Sequence, residues 1–191
     1  MARSASENRR VRMTRAMVRG ALLELLDEKP LGDISVTELC ARADINRTTF
    51  YKHYGTPDDV LRDIAVELAE GAAAAAATLV DGRPLPLGGQ VAAICRHLRD
   101  HPREARAVLK HFGGDSEPVR NLMGARLSSG QVRMPEYARR CDADTARLLG
   151  AFLTNGIYSL VRCWMLEGVD KTPEEIGALA EDIAVHGWID G

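Results

Sequence analysis

Aromatic residues are scarce in this sequence, at 5% of 191 residues, whereas hydrophobic residues reach 46% and are mostly alanine, leucine and valine. A globular chain of that make-up favours helices. Cysteine supplies no framework: Cys40, Cys95, Cys141 and Cys163 lie far apart with no CxxC pair, each in an apolar helical context. Reduced, buried cysteines are expected. No run approaches the ~18 consecutive apolar residues of a membrane span. The opening residues MARSASENRRVRMTR also lack the apolar segment of a secretory signal, so no membrane association and a cytoplasmic location are expected. Also missing are a Gly-rich phosphate loop ending in Lys-Ser/Thr, a G-x-S-x-G turn and an acid pair in a recognisable catalytic setting. These absences argue against an enzyme, a cofactor and a metal site.

Acidic residues are sparse at one end only. The net charge of -2 conceals 10 Lys and Arg against 7 Asp and Glu in residues 1–56, and 15 against 20 in the rest. Within the first nineteen positions Arg3, Arg9, Arg10, Arg12, Arg15 and Arg19 face one acid, Glu7. Such a field suits a polyanion.

Hydrophobic spacing predicts a helix from Arg9 to Glu28, with Val11, Val18, Ala21, Leu22, Leu25 and Leu26 on one face and Arg12, Arg15 and Arg19 on another. Pro30 and Gly32 end it. Ser35 and Glu38 form an S-x-x-E capping box for a short second helix, stapled by Ile34 and Leu39. That helix gives out at Asp44, a residue type that tolerates left-handed backbone. Asn46 then caps a third helix, whose inner face takes Phe50 and Tyr54 and leaves Arg47, Thr48, Tyr51 and Lys52 outward. Thr56 and Pro57 open a long fourth helix, expected to run through the alanines 72–77 toward Leu79. Residues Gly82 to Gly89 read as a loop or linker.

Two short helices, a tight turn and a preceding helix constitute a helix-turn-helix. Its second helix is narrow enough for the DNA major groove. Arg47 suits a guanine edge, Thr48 and Thr49 a thymine methyl or a phosphate, and Tyr51, Lys52 and His53 phosphates, with Thr37 of the preceding helix joining the candidate set. The stretch ISVTELCARADINRTTFYKHY, residues 34–54, resembles the DNA-binding domain of the TetR/AcrR (tetracycline-repressor-type) family of bacterial transcriptional regulators. The resemblance covers the first sixty or so residues. It implies an all-α homodimer with a three-helix DNA-binding domain at 1–56, a helical ligand-binding and dimerisation domain at 57–191, and DNA contact by Thr49, Tyr51 and His53. It further implies a regulator, more often a repressor, on a palindromic operator, released or altered by a small-molecule effector. The chain departs from the family pattern at Asp44, usually Gly; at Thr48, usually small; and at Pro57, often a phosphate-touching Lys.

Beyond residue 90 the chain keeps its helical periodicity. Leu87 to Leu98 marks one helix, Pro102 to Phe112 a second, and Ser116 to Leu127 a third, followed by an irregular stretch from Ser128 to Asp142. Ala143 to Glu167 is apolar nearly all round and must be covered on every side, which points to a second subunit as part of that cover; the family resemblance implies a dimer interface on this helix and on the final one after Thr172. Gly150 and Gly156 are candidates for a close helix approach there. Met123, Tyr137, Tyr158, Arg162, Cys163 and Trp164 are candidates for lining an effector pocket, and equally for core or interface. His97 and His101 stand four apart with His111 nearby, a spacing that metal ligands use, but Leu98 occupies the place of the zincin glutamate. The rival reading is a helical small-molecule or metal-binding enzyme whose basic N-terminus docks a protein.

Overall fold

The computed structural model describes residues 2–113 and 142–186. They form α1 (Ala2–Glu28), α2 (Val36–Arg42), α3 (Arg47–Tyr51), α4 (Pro57–Ala76), a small hairpin of β1 (Leu79–Val80) and β2 (Arg83–Pro84), α5 (Leu87–Asp100), α6 (Pro102–His111), α7 (Ala143–Glu167) and α8 (Pro173–His186). The all-α class is as expected. The chain divides into two compact units, residues 1–66 and 67–191, with the division inside α4, whereas the sequence boundary stands at its start. Among the described residues no helix is long and apolar enough to cross a membrane.

In the first unit Val18, Leu22 and Leu25 of α1, Leu39 of α2, Phe50 of α3, and Val60, Leu61 and Ile64 of α4 are fully buried. Complete burial of a ring such as Phe50 is worth about 1.5–3 kcal/mol, enough to hold a five-residue helix that could not persist alone. The caps fix where each helix starts. Ser35 Oγ accepts from Glu38 N–H at 3.2 Å, and Asn46 Oδ1 accepts from Thr49 N–H at 2.7 Å. Thr56 and Asp59 cap reciprocally: Thr56 N–H donates to Asp59 Oδ2 at 2.9 Å and Asp59 N–H to Thr56 Oγ1 at 3.3 Å. The Thr56 hydroxyl, the first of several donors to it, holds the Asp59 carboxyl below its usual range. Asp44 takes φ 51°, the left-handed turn between α2 and α3.

Several local expectations change. The Ser35–Glu38 box is half made, because the Glu38 carboxylate binds Lys29 Nζ at 2.5 Å, where it meets a full charge, instead of returning to Ser35 N–H. Helix α1 begins seven residues before Arg9, since nothing in ARSASEN breaks a helix. Helix α4 stops at Ala76, short of Leu79, and the expected loop is mostly ordered structure. Asp81 and Gly82, at φ 51° and 73°, make the two-residue turn of an antiparallel hairpin, and Gly88 and Gly89 already belong to α5. The predicted 116–127 helix and most of the irregular stretch lie outside the described residues.

The second unit is built on α5 and α8, which cross at backbone contact. A Cβ built on Gly177 would stand 2.2 Å from the Gly88 carbonyl oxygen, so only glycine fits. Within the protomer Gly156, a candidate for helix approach between subunits, has nothing within 4 Å. Side chains of α7 satisfy the free carbonyls at the end of α6, Tyr158 Oη donating to Phe112 O at 2.5 Å and Arg162 Nε to Leu109 O at 2.9 Å. Asp142 caps α7 through Thr145 N–H, Gly168 at φ 69° ends it, and Trp164 Nε1 donates to Lys171 O at 2.8 Å to fix the link to α8. Cys40 and Cys95 are buried as expected; Cys163 is only half-buried, with Sγ 3.2 Å from Glu167 Oε2 on the outer side of α7.

Candidate nucleic-acid interface

Helix α3 owes its orientation to the ring cluster beneath it. Phe50 meets Tyr51 edge-on at 5.6 Å and Tyr54 at 5.9 Å, and Phe50 and Tyr54 are both buried. The Tyr54 hydroxyl donates to Asp63 Oδ2 of α4 at 2.6 Å, and burial followed by that carboxylate holds the phenol far above its ordinary pKa, so it remains a donor. From α1, the Arg15 guanidinium lies 5.8 Å from the Tyr54 ring centre and 4.0 Å from Asp63 Oδ1. The C-terminal end of α3 is thus tied to both α1 and α4.

With Phe50 and Tyr54 inward, the remaining positions fall into one outward arc. Arg47, Thr48 and Lys52 are exposed, Tyr51 is 59% exposed, and Thr49 and His53 stand half-buried at its edge. Thr37, exposed on α2, receives a hydrogen bond from Arg47 Nη2. All seven predicted side chains lie on α2, α3 or the residues just after α3. Arg47 occupies the first helical position of α3, where a side chain reaches furthest along a groove floor.

Ion pairs sort the cations. Arg42 is held by Glu28 at 2.9 Å and Glu24 at 3.5 Å, a pairing that lowers the Glu28 carboxyl, and Lys29 is held by Glu38. Arg47 has the uncharged Thr37 as its partner, and neither Arg47 nor Lys52 meets a carboxylate among the described residues. An arc with two available cations, three hydroxyls and an imidazole can bind phosphate oxygens and donate to base edges.

Of the predicted ligand residues that are described, Tyr158, Arg162 and Trp164 each donate to a backbone carbonyl, as given above. Met123 and Tyr137 lie outside the described residues. A groove of about 390 Å³ lies instead between α7 and α8, lined by Phe152, Leu153, Gly156, Ile157, Leu160 and Ile183 among others. Sequence reading missed it because every one of these residues also fits a buried core. The rings of His97 and His101 meet at 4.7 Å, but His97 Nε2 faces Gly71 with no partner, and His111 Nδ1 is 2.8 Å from the Ala107 carbonyl of its own helix. Among the described residues no three His, Cys, Asp or Glu side chains are grouped as metal ligands would be.

A helix-turn-helix unit followed by a mainly helical unit defines the fold class. Two solved structures share it over most of their length. A TetR transcriptional regulator from Streptococcus agalactiae 2603V is 18% identical with a TM-score of 0.63, over 95% of this chain and 99% of that one. A bacterial regulatory protein in the tetR family from Rhodococcus RHA1 is 20% identical with a TM-score of 0.56, over 91% and 96%. No family sequence model and no curated protein matches the chain. The chain therefore has the fold of TetR-type regulators.

Proposed function

We propose that the protein is a sequence-specific DNA-binding transcriptional regulator of the TetR type, acting as a repressor. The observation that carries this reading is the outward arc of α3, in which Arg47, Thr48, Tyr51 and Lys52 are exposed over buried Phe50 and Tyr54. Arg47 reads a base edge, Thr37 positions it, and Thr48, Thr49, Tyr51, Lys52 and His53 hold phosphates or flanking bases.

The chain works as a homodimer through α7 and α8. In support, Leu148 and Phe152 on α7 are 64% and 69% exposed, beside the apolar groove, and Gly156 is open to solvent between them and the helix end. An apolar face of this kind costs free energy in water and is covered by association. Two recognition helices then enter successive major grooves about 34 Å apart. A small-molecule effector in the helical unit alters DNA affinity by favouring one separation, and its leverage is limited to its difference in affinity between the two states. Selection of bound duplexes from a random pool by the purified protein tests the reading. An enriched palindrome is expected, and salt-sensitive binding with no enriched sequence would refute it.

A further inference from the structure

We propose that the N-terminal part of α1 is a second DNA contact, an arginine arm in which Arg9, Arg10 and Arg12 grip the phosphate backbone beside the groove entered by α3. The inference rests on the regulator reading above. Helix α1 is longer than its core requires: Val18 is its first fully buried residue, and from there back to Arg9 the helix extends about 13 Å. Along that stretch Val11 and Thr14 are only half-buried, and Met13 is 61% exposed. Arg9, Arg10 and Arg12 are exposed, and no described side chain offers them a carboxylate, whereas Lys29 and Arg42 lower in the same unit are paired.

The contacts of α1 set where the arm lies. Toward its C-terminus Glu24 and Glu28 hold Arg42 of α2; further back Arg15 sits over Tyr54, just past the end of α3. The next turns carry Arg12, Arg10 and Arg9, so the helix leaves the fold beside the end of α3 from which Tyr51 and Lys52 project. A major groove about 12 Å wide has phosphate ridges on both sides, a distance the arm matches. Guanidinium groups stay charged and pair with phosphate through two parallel hydrogen bonds. Such contacts carry no sequence information.

The full-length protein and its R9A/R10A/R12A variant would be titrated against a duplex recovered by selection and a scrambled duplex of the same length, over a range of salt. Each lost phosphate contact removes about 0.9 from the slope of log K on log salt, so with three arginines lost from each of two protomers the slope is expected to fall by about 5. Both duplexes should lose affinity by the same factor, and R9K/R10K/R12K, which keeps the charges, should retain the slope. An unchanged slope overturns the arm and leaves the regulator reading intact. A loss confined to the selected duplex overturns the backbone role. Failure of the unaltered protein to bind DNA overturns both.

Discussion

The two units close their cores in the same way and differ in what they leave outside. In residues 1–66 the side chains that stay exposed around α3 are Arg47, Thr48, Tyr51 and Lys52, each with a polar group to offer. In residues 67–191 the most exposed large hydrophobic side chains of α7 are Leu148 and Phe152, which offer none. Polar groups left in water cost nothing until a better partner arrives, whereas an apolar face is disfavoured from the outset. The first surface suits a transient, salt-sensitive partner and the second a persistent one.

The sharpest way to break this comparison is Phe50→Ala. Loss of a fully buried ring costs about 3–5 kcal/mol, which would unfold the first unit and abolish DNA binding. Both tryptophans, Trp164 and Trp188, lie beyond residue 66 in the sequence and Trp164 is buried in the second unit, so urea unfolding followed by tryptophan fluorescence should be unmoved while circular dichroism shows the loss. Coincident shifts in both signals would show that the units unfold as one.

Phe152→Asp addresses the other surface. Sedimentation should report a folded monomer that melts below the dimer, and operator affinity should fall about a hundredfold because two half-sites are no longer held together. A dimer that persists would place the interface elsewhere. Smaller, and confined to the second unit, is Gly177→Ala: the new methyl meets the Gly88 carbonyl, and a loss of about 1–3 kcal/mol is expected in the tryptophan-detected transition. Asn46→Ala removes the cap of α3 and should cost the first unit about 1 kcal/mol, read by dichroism.

The smallest effect is a pH dependence. Burial, and then the neighbouring His101, lowers the pKa of His97 below its ordinary 6.5, with a hydrogen bond to the Leu68 backbone and then Asp100 opposing. As pH falls below about 6.5 the unfolded chain therefore takes up the proton before the folded one, and stability is lost on the acid side. His101→Ala should flatten that acid limb in the tryptophan-detected melts.

The helix-turn-helix was legible because its signals are local. Ser35, Asn46 and Thr56 cap where their residue types suggest, Asp44 adopts the left-handed turn, and Phe50 and Tyr54 share an inner face at a spacing of four. What escaped depends on partners distant in sequence. Gly88 and Gly177 are 89 positions apart and only their meeting explains either. Tyr158, Arg162 and Trp164 fitted pocket, core or interface alike, and the carbonyls of α6, of the residue after it and of the turn before α8 to which they donate are far off in sequence or unmarked there. The hairpin at Asp81-Gly82 was a local signal overlooked beside the prolines that flank it.

The most direct test of the central claim, that α3 reads sequence through Arg47, is to repeat the random-pool selection with Arg47→Ala beside the unaltered protein. The account predicts the same palindrome with preference relaxed at one base pair in each half-site, about 1–3 kcal/mol of discrimination lost there and little elsewhere. An identical motif bound more weakly at every position would contradict it, reducing Arg47 to a phosphate contact.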